Sequence, residues 1–166
     1  MVLETPEERA QVFCKTRKTL HLATVGIDGT PTASYAPFIH SDALYIYISA
    51  LSRHTKDLHD TKKASVLLIE DETSAENLFA RKRITFSCNV GVVERETSLW
   101  YYILSRFETT FGSVFGHIRP LPDFTLFRLK PCDAIYVEGF GQAYRMNPEL
   151  TSAIHIKRTG PGAHGA

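Results

Sequence analysis

Two periodicities divide this chain. From Arg83 the residues alternate: Ile84, Phe86, Cys88, Val90 and Val92 fall on one side, and Arg83, Thr85, Ser87 and Asn89 on the other. A period of two is that of a strand with one face in a core. From Trp100 the spacing becomes helical. Trp100, Ile103, Leu104, Phe107 and Phe111 step at i, i+3, i+4, i+7 and i+11, which predicts an amphipathic helix over 97–111, ended near Gly112. An earlier helix begins at Thr5-Pro6-Glu7-Glu8, with threonine as cap, proline in the first turn and a glutamate placed to close a capping box; it runs to about Thr16.

Further strands are expected over 20–25, 32–39, 44–49, 64–69, 124–129, 134–138 and 140–144. The turns between them include Gly26-Ile27-Asp28-Gly29 and His40-Ser41-Asp42. A short polar helix is predicted over 52–60, and another opens at Asn147-Pro148 and carries His155 at its end. The strand over 44–49 is apolar on both sides, with Leu44, Ile46 and Ile48 on one and Tyr45 and Tyr47 on the other. Both faces are therefore expected to be covered, a subunit partner being one candidate for the second layer. Connections this short suit antiparallel pairing rather than parallel crossovers. The expected fold is mainly β: an antiparallel closed or split barrel with peripheral helices. It occupies 1–158 as one domain, and a flexible Gly/Pro-rich tail, TGPGAHGA, follows over 159–166.

Composition narrows the function. The 166 residues carry a formal charge of +1, without the clustered basic footprint of a nucleic-acid binder. No apolar run reaches the ~18 residues of a membrane span. The first ten residues, MVLETPEERA, are too polar for a secretory signal. Cys14, Cys88 and Cys132 are odd in number and widely spaced, with no C-x-x-C, so neither a zinc knuckle nor a redox pair is indicated. A reducing cytoplasm is the expected location.

Candidate chemistry is sparse. Three acids, Glu70 to Glu72, close one apolar run, and Ala80-Arg81-Lys82-Arg83 opens the next. Arg83 stands at the polar entrance of a strand. A guanidinium there can pair bidentately with a carboxylate or phosphate, although a solvated strand end explains it as simply. His21 alternates with core leucines, which favours a structural role, and His40 falls in a turn exposed to water. His54 follows the doubly apolar strand and is placed either to look into a pocket at that strand's end or to sit half-exposed. His164 is the only side chain of the tail with ligand chemistry; a frayed terminus accounts for it, and an axial metal ligand on an arm is the sharper alternative. About ten extended residues reach ~33 Å, enough to cross to another subunit. Asp123 precedes a strand, where it serves as a turn residue or as a carboxylate accepting the second N–H of a ligating imidazole. There is no G-x-S-x-G and no nucleotide-binding glycine loop.

Six segments occur in a familiar order: RKTLHLATV with DG, P and SYAPF after it; IEDE; LFARKRITF; SLW at a helix start; DF-x-LFRL; and GFGQAY. Together, over about 5–155, they resemble the haem-utilisation proteins of the HugZ/HutZ type, in the pyridoxamine 5′-phosphate oxidase-like, FMN-binding split-barrel superfamily. The resemblance implies a six-stranded split barrel forming a homodimer with haem at the subunit interface. It implies oxidative opening of haem, both substrate and cofactor, with O2 and an external electron donor, releasing iron and a biliverdin-type product. It further implies an axial histidine in the C-terminal segment, assigned to His164 with His155 as the alternative. Asp123 is then the partner of that histidine, Arg83 lines the haem pocket, and His54 lies near the interface. The tail departs from the family's spacing around His164, where Gly-Pro-Gly intervenes. Two other readings stay open: an FMN-dependent oxidoreductase, for which Arg81, Lys82 and Arg83 would hold a phosphate, and a haem carrier or store without turnover.

Overall fold

The structure, a computed structural model, describes Val2 and residues 4–159. Six strands form a closed antiparallel barrel: β1 (Thr19–Val25), β2 (Pro31–His40), β3 (Leu44–Ser49), β4 (Lys63–Ile69), β5 (Arg83–Val93) and β6 (Phe124–Gly139). Their order is β3-β2-β1-β4-β5-β6, and pairing of β3 with β6 closes the ring. Closure pairs β3 and β6, which would otherwise be the edges of the six-stranded sheet. Two further strands, β7 (Gln142–Met146) and β8 (Ala153–His155), continue the sheet beyond β6.

The alternation in β5 sorts as the sequence demands as far as Val90. Ile84, Phe86, Cys88 and Val90 enter the barrel core with Leu20, Leu22, Val66, Leu68 and Tyr136. Val92 does not: it is exposed, and Val93 is buried instead, in a second cluster. The helix α1 (Pro6–Thr16) forms the full capping box at Thr5 and Glu8, and it buries Ala10, Phe13 and Cys14 against the core. Arg9 ties it to β6 through two 2.7 Å hydrogen bonds to Glu138. The helix α2 (Arg53–Thr61) buries Leu58, and its Asp57 accepts a 2.8 Å hydrogen bond from Thr24. Gly26 begins the β1–β2 turn with reason: a Cβ there would meet Asp28 Oδ1 at 2.9 Å and Asp57 Oδ1 at 3.4 Å.

Several expectations are corrected. The second face of β3 is covered within the chain. Tyr45 and Tyr47 pack with Trp100, Ile103, Leu104, Phe107 and Phe115 from α3 (Ser98–Phe111) and α4 (Ser113–Ile118), so no partner is needed there. The short helix α4 was not anticipated from the sequence, because Gly112 (φ 72°) marks only the end of α3. The strands expected over 124–129 and 134–138 are one, β6. Pro131 lacks an N–H, and the ladder absorbs it by a register shift opposite Ser87 and Cys88. The strand expected over 140–144 starts at Gln142 and runs to Met146, leaving Phe140 and Gly141 in the hairpin turn. The last helix does not form. Asn147 Oδ1 accepts from the N–H groups of Thr151 and Ser152 (2.8 and 2.9 Å), a local bond that competes with helix, and β8 follows. His155 is thus a strand residue. His21 faces outward and is exposed, while His40 is half-buried with Nδ1 3.7 Å from Cys14 Sγ. Among the described residues no helix is long and apolar enough to cross a membrane.

Candidate functional site

A cavity of about 460 Å³ opens where β2 and β3 meet α3, α4 and the start of α2. That volume lies within the range of small-molecule sites. Its walls are apolar and largely aromatic, with Tyr35, Pro37, Phe107, Phe111, Val114 and Phe124 among them. The helix α3 supplies Phe107 and Phe111 from successive turns of its apolar stripe, and the two rings are 5.8 Å apart. Phe107 also stacks on Phe115 of α4 at 5.1 Å. Tyr35 and Val114, at 67% and 68% exposure, mark the rim as open.

The polar groups that converge on the cavity are few. His54, in the first turn of α2, is 9% exposed. Its Nδ1 lies 2.6 Å from Ser34 Oγ, and its Nε2 is buried with no hydrogen-bond partner. Burial pushes the imidazole below its ordinary pKa, against the pull of the Asp57 carboxylate, so His54 is neutral near pH 7. When the Ser34 hydroxyl donates to Leu22 O (3.4 Å), Nδ1 carries the hydrogen and Nε2 presents a lone pair. A buried, unpaired imidazole nitrogen beside apolar walls calls for a ligand atom or water.

Asp123, one residue before β6, does not line the cavity itself but is joined to its wall through Ser49. Its Oδ2 accepts a 2.6 Å hydrogen bond from Ser49 Oγ, and Ser49 lines the cavity. The Ser49 hydroxyl in turn accepts from the Leu51 N–H at 3.1 Å. The backbone of Asp123 is held separately, its carbonyl accepting from the Ala50 N–H at 2.8 Å. Arg95 fixes the flanking residues: its Nη2 donates to Leu121 O (2.8 Å) and Phe124 O (3.0 Å), while its guanidinium lies 5.6 Å from the Trp100 ring. Tyr47 donates to Arg119 O at 2.9 Å. Asp123 therefore sits on a clamped connector.

Arg83 is elsewhere. It is the first residue of β5, half-buried on the outer face, cross-strand from Ile69 and from Val137 at the far end of β6 from Asp123. Its Nη1 donates to Arg81 O at 3.0 Å. The neighbouring charges close the 70–82 loop. Glu70 Oε1 accepts from the Lys82 N–H at 2.7 Å, Arg81 donates to the Glu70 carbonyl, and Arg81 approaches Glu72 at 3.8 Å. Of the basic tetrad, Arg81 is thus committed to the loop. His155 lies in β8, exposed, with Nε2 2.6 Å from Gly141 O. It does not line the cavity. His164 lies outside the described residues.

One chain thus lines the cavity with His54, ties Asp123 to Ser49 of its wall, and leaves Arg83 and His155 away from it. Sequence reasoning missed Ser49, Tyr47 and Arg95. Ser49 and Arg95 have no distinguishing pattern in the chain, and the Tyr45/Tyr47 alternation marked burial but not the clamp. Among the described residues no group of three or more metal-binding side chains is assembled.

A closed six-stranded antiparallel barrel with α1 packed on its core and a helical pair on the outside of β3 defines a split-barrel protein. A family model described as pyridoxamine 5′-phosphate oxidase matches residues 6–138, and the chain belongs to that family. Within it, the chain is 40% identical over 153 residues to the haem oxygenase HutZ of Vibrio cholerae, covering 91% of this chain and 87% of that protein. The crystal structure of HutZ, there described as a haem storage protein, matches with a TM-score of 0.77 at 38% identity, covering 82% of this chain and 99% of the other. That of ChuZ from Campylobacter jejuni matches with a TM-score of 0.86 at 28% identity, covering 100% and 68%.

Proposed function

We propose that this protein binds haem and opens its ring oxidatively, as a homodimer supplied with electrons by an external donor. The observation that carries the reading is the aromatic cavity lined by His54 and by Ser49, whose hydroxyl holds the Asp123 carboxylate. Its chemistry fits haem: flat apolar walls for a porphyrin face, and a few polar groups to fix orientation. The likeness to a protein named haem oxygenase supports the same reading.

Haem, the substrate, brings the iron that activates O2 and the ring that is opened. The chain's own residues bind and orient it. A C-terminal histidine, His164 with His155 as the alternative, ligates iron, and Asp123 accepts that imidazole's second N–H, fixing its tautomer. His54, neutral, would line the wall against the bound ring. Arg83 pairs a haem propionate. Because Arg83 and Asp123 lie at opposite ends of β6, the full set assembles only when a second copy brings its Arg83 to this chain's cavity. The outer face next to Arg83 suits such packing: Leu67, Ile69, Ile135 and Val137 are half-buried there, beside the exposed Leu78 and Phe79.

A spectral time course tests the proposal. With reductant and O2 the haem complex loses its Soret band and gains a biliverdin-type spectrum. A band that persists establishes the second reading, a haem store, which the storage description of the HutZ structure favours. A protein that purifies with flavin absorbance and does not take up haem refutes both.

A further inference from the structure

We infer that Ser49 is a positioning residue that shares the Asp123 carboxylate and so limits how strongly it can act on an iron-bound imidazole. The inference rests on the haem reading above and deepens it. Ser49 ends β3, where its backbone pairs with Phe124, the residue after Asp123. Its hydroxyl has a single hydrogen, and at 2.6 Å that hydrogen is given to Asp123 Oδ2. The Leu51 N–H, donating to Ser49 Oγ at 3.1 Å, polarises the hydroxyl and strengthens the donation. A carboxylate that already accepts a short hydrogen bond on one oxygen is a weaker acceptor for the next donor. The imidazole bound to iron then keeps more of its proton and less imidazolate character.

Removing the hydroxyl need not release the carboxylate. The Asp123 carbonyl stays bonded to the Ala50 N–H, and Arg95 still clamps Leu121 and Phe124. The sign of the effect therefore separates two roles. A Ser49 that merely holds Asp123 in place would, when removed, weaken the pairing with the imidazole. A Ser49 that shares the carboxylate would, when removed, strengthen it.

The test uses the near-isosteric pair Ser49→Val and Ser49→Thr, which differ in the hydroxyl and both suit a strand. In the haem complex, Ser49→Val is expected to raise the ferrous iron–histidine stretching frequency and to favour ferric over ferrous iron about threefold. At ~59 mV per tenfold for one electron, that lowers the reduction potential by about 30 mV. Ser49→Thr stays at the parent values, and Ser49→Val has no further effect in an Asp123→Asn background. In the haem-free protein the Asp123 carboxyl carbon resonance moves in Ser49→Val and not in Ser49→Thr. An unmoved resonance overturns the inference, as does an iron–histidine stretch that stays or falls. If the resonance moves but Asp123→Asn leaves the haem spectrum unchanged, the pairing of Asp123 with the ligand fails, and the haem consequence of Ser49 fails with it. Should Ser49→Val not fold, Ser49→Cys, a weak donor of similar size, must shift both haem readouts the same way by less.

Discussion

Replacing Ile103 by alanine tests whether the second face of β3 is covered from within the chain. Ile103 is fully buried among Tyr45, Tyr47, Trp100, Leu104 and Phe107, at the contact of α3 with β3. The substitution removes three side-chain carbons, worth ~2.4 kcal/mol at ~0.8 kcal/mol each. The cavity left between a helix and a rigid sheet adds ~1 kcal/mol, for a loss of ~3 kcal/mol. For a domain of this size that lowers the melting temperature by ~6–12 °C. With a urea slope of ~2 kcal/mol/M, the midpoint falls by ~1.5 M. Trp100, the single tryptophan, lies in the same cluster and is 7% exposed, so its fluorescence reports the docking of α3 directly. Tyr102→Ala, on the exposed side of the same helix, serves as the control and changes stability by less than ~0.5 kcal/mol. A loss below ~1 kcal/mol for Ile103→Ala, or a Trp100 signal that already reads as solvated in the parent, would refute the packing. The face of Tyr45 and Tyr47 would then need another cover.

Two further predictions concern pH. The Glu138 carboxyl is held below its ordinary range, first by the hydrogen bonds from Arg9. The unfolded chain takes up the proton more readily than the folded one, so this stabilisation is full above the ordinary carboxyl range and is lost as pH falls through the lowered folded-state value. Glu138→Gln should cost about 1–2 kcal/mol at pH 7 and flatten the acid limb of stability against pH in urea titrations; an unchanged limb would count against the pair. Burial lowers the pKa of His40, with Lys15 and Arg106 adding to the effect, and burial lowers that of His54 as well. Both stay neutral in the fold while the unfolded chain binds protons near ~6.5, so stability declines as pH falls below that value. His40→Gln should make the decline between pH 6.5 and 5 shallower, measured by urea midpoints at each pH, and an unaltered slope would exclude His40 as a contributor.

Local pattern determined much of this protein. The alternation in β5, the stripe of α3 and the box at Thr5 each depend on residues within a few positions, so strands and helices were legible where the chain alone satisfies them. The resemblance to haem-utilisation proteins rested on the order of short segments, which is also a property of sequence. The Asn147-Pro148 start misled because the Asn147 side chain bonds the following N–H groups instead of capping a helix, and the break between 129 and 134 is bridged by a register shift inside one long strand. Only the tertiary structure decided the site. His54 and Asp123 are 69 positions apart in sequence (123 − 54). They meet at one cavity wall, His54 directly and Asp123 through Ser49, because β3 pairs with β6 to close the barrel, which sets Ser49 against Asp123. The pairing of β5 with β6 puts Arg83 at the opposite end of β6, and α3 and α4 cover Tyr45 and Tyr47 from within the chain. The physical reason is range: periodicity reports which face of an element is buried, whereas what buries it and which polar groups meet there depend on contacts between elements far apart in the chain.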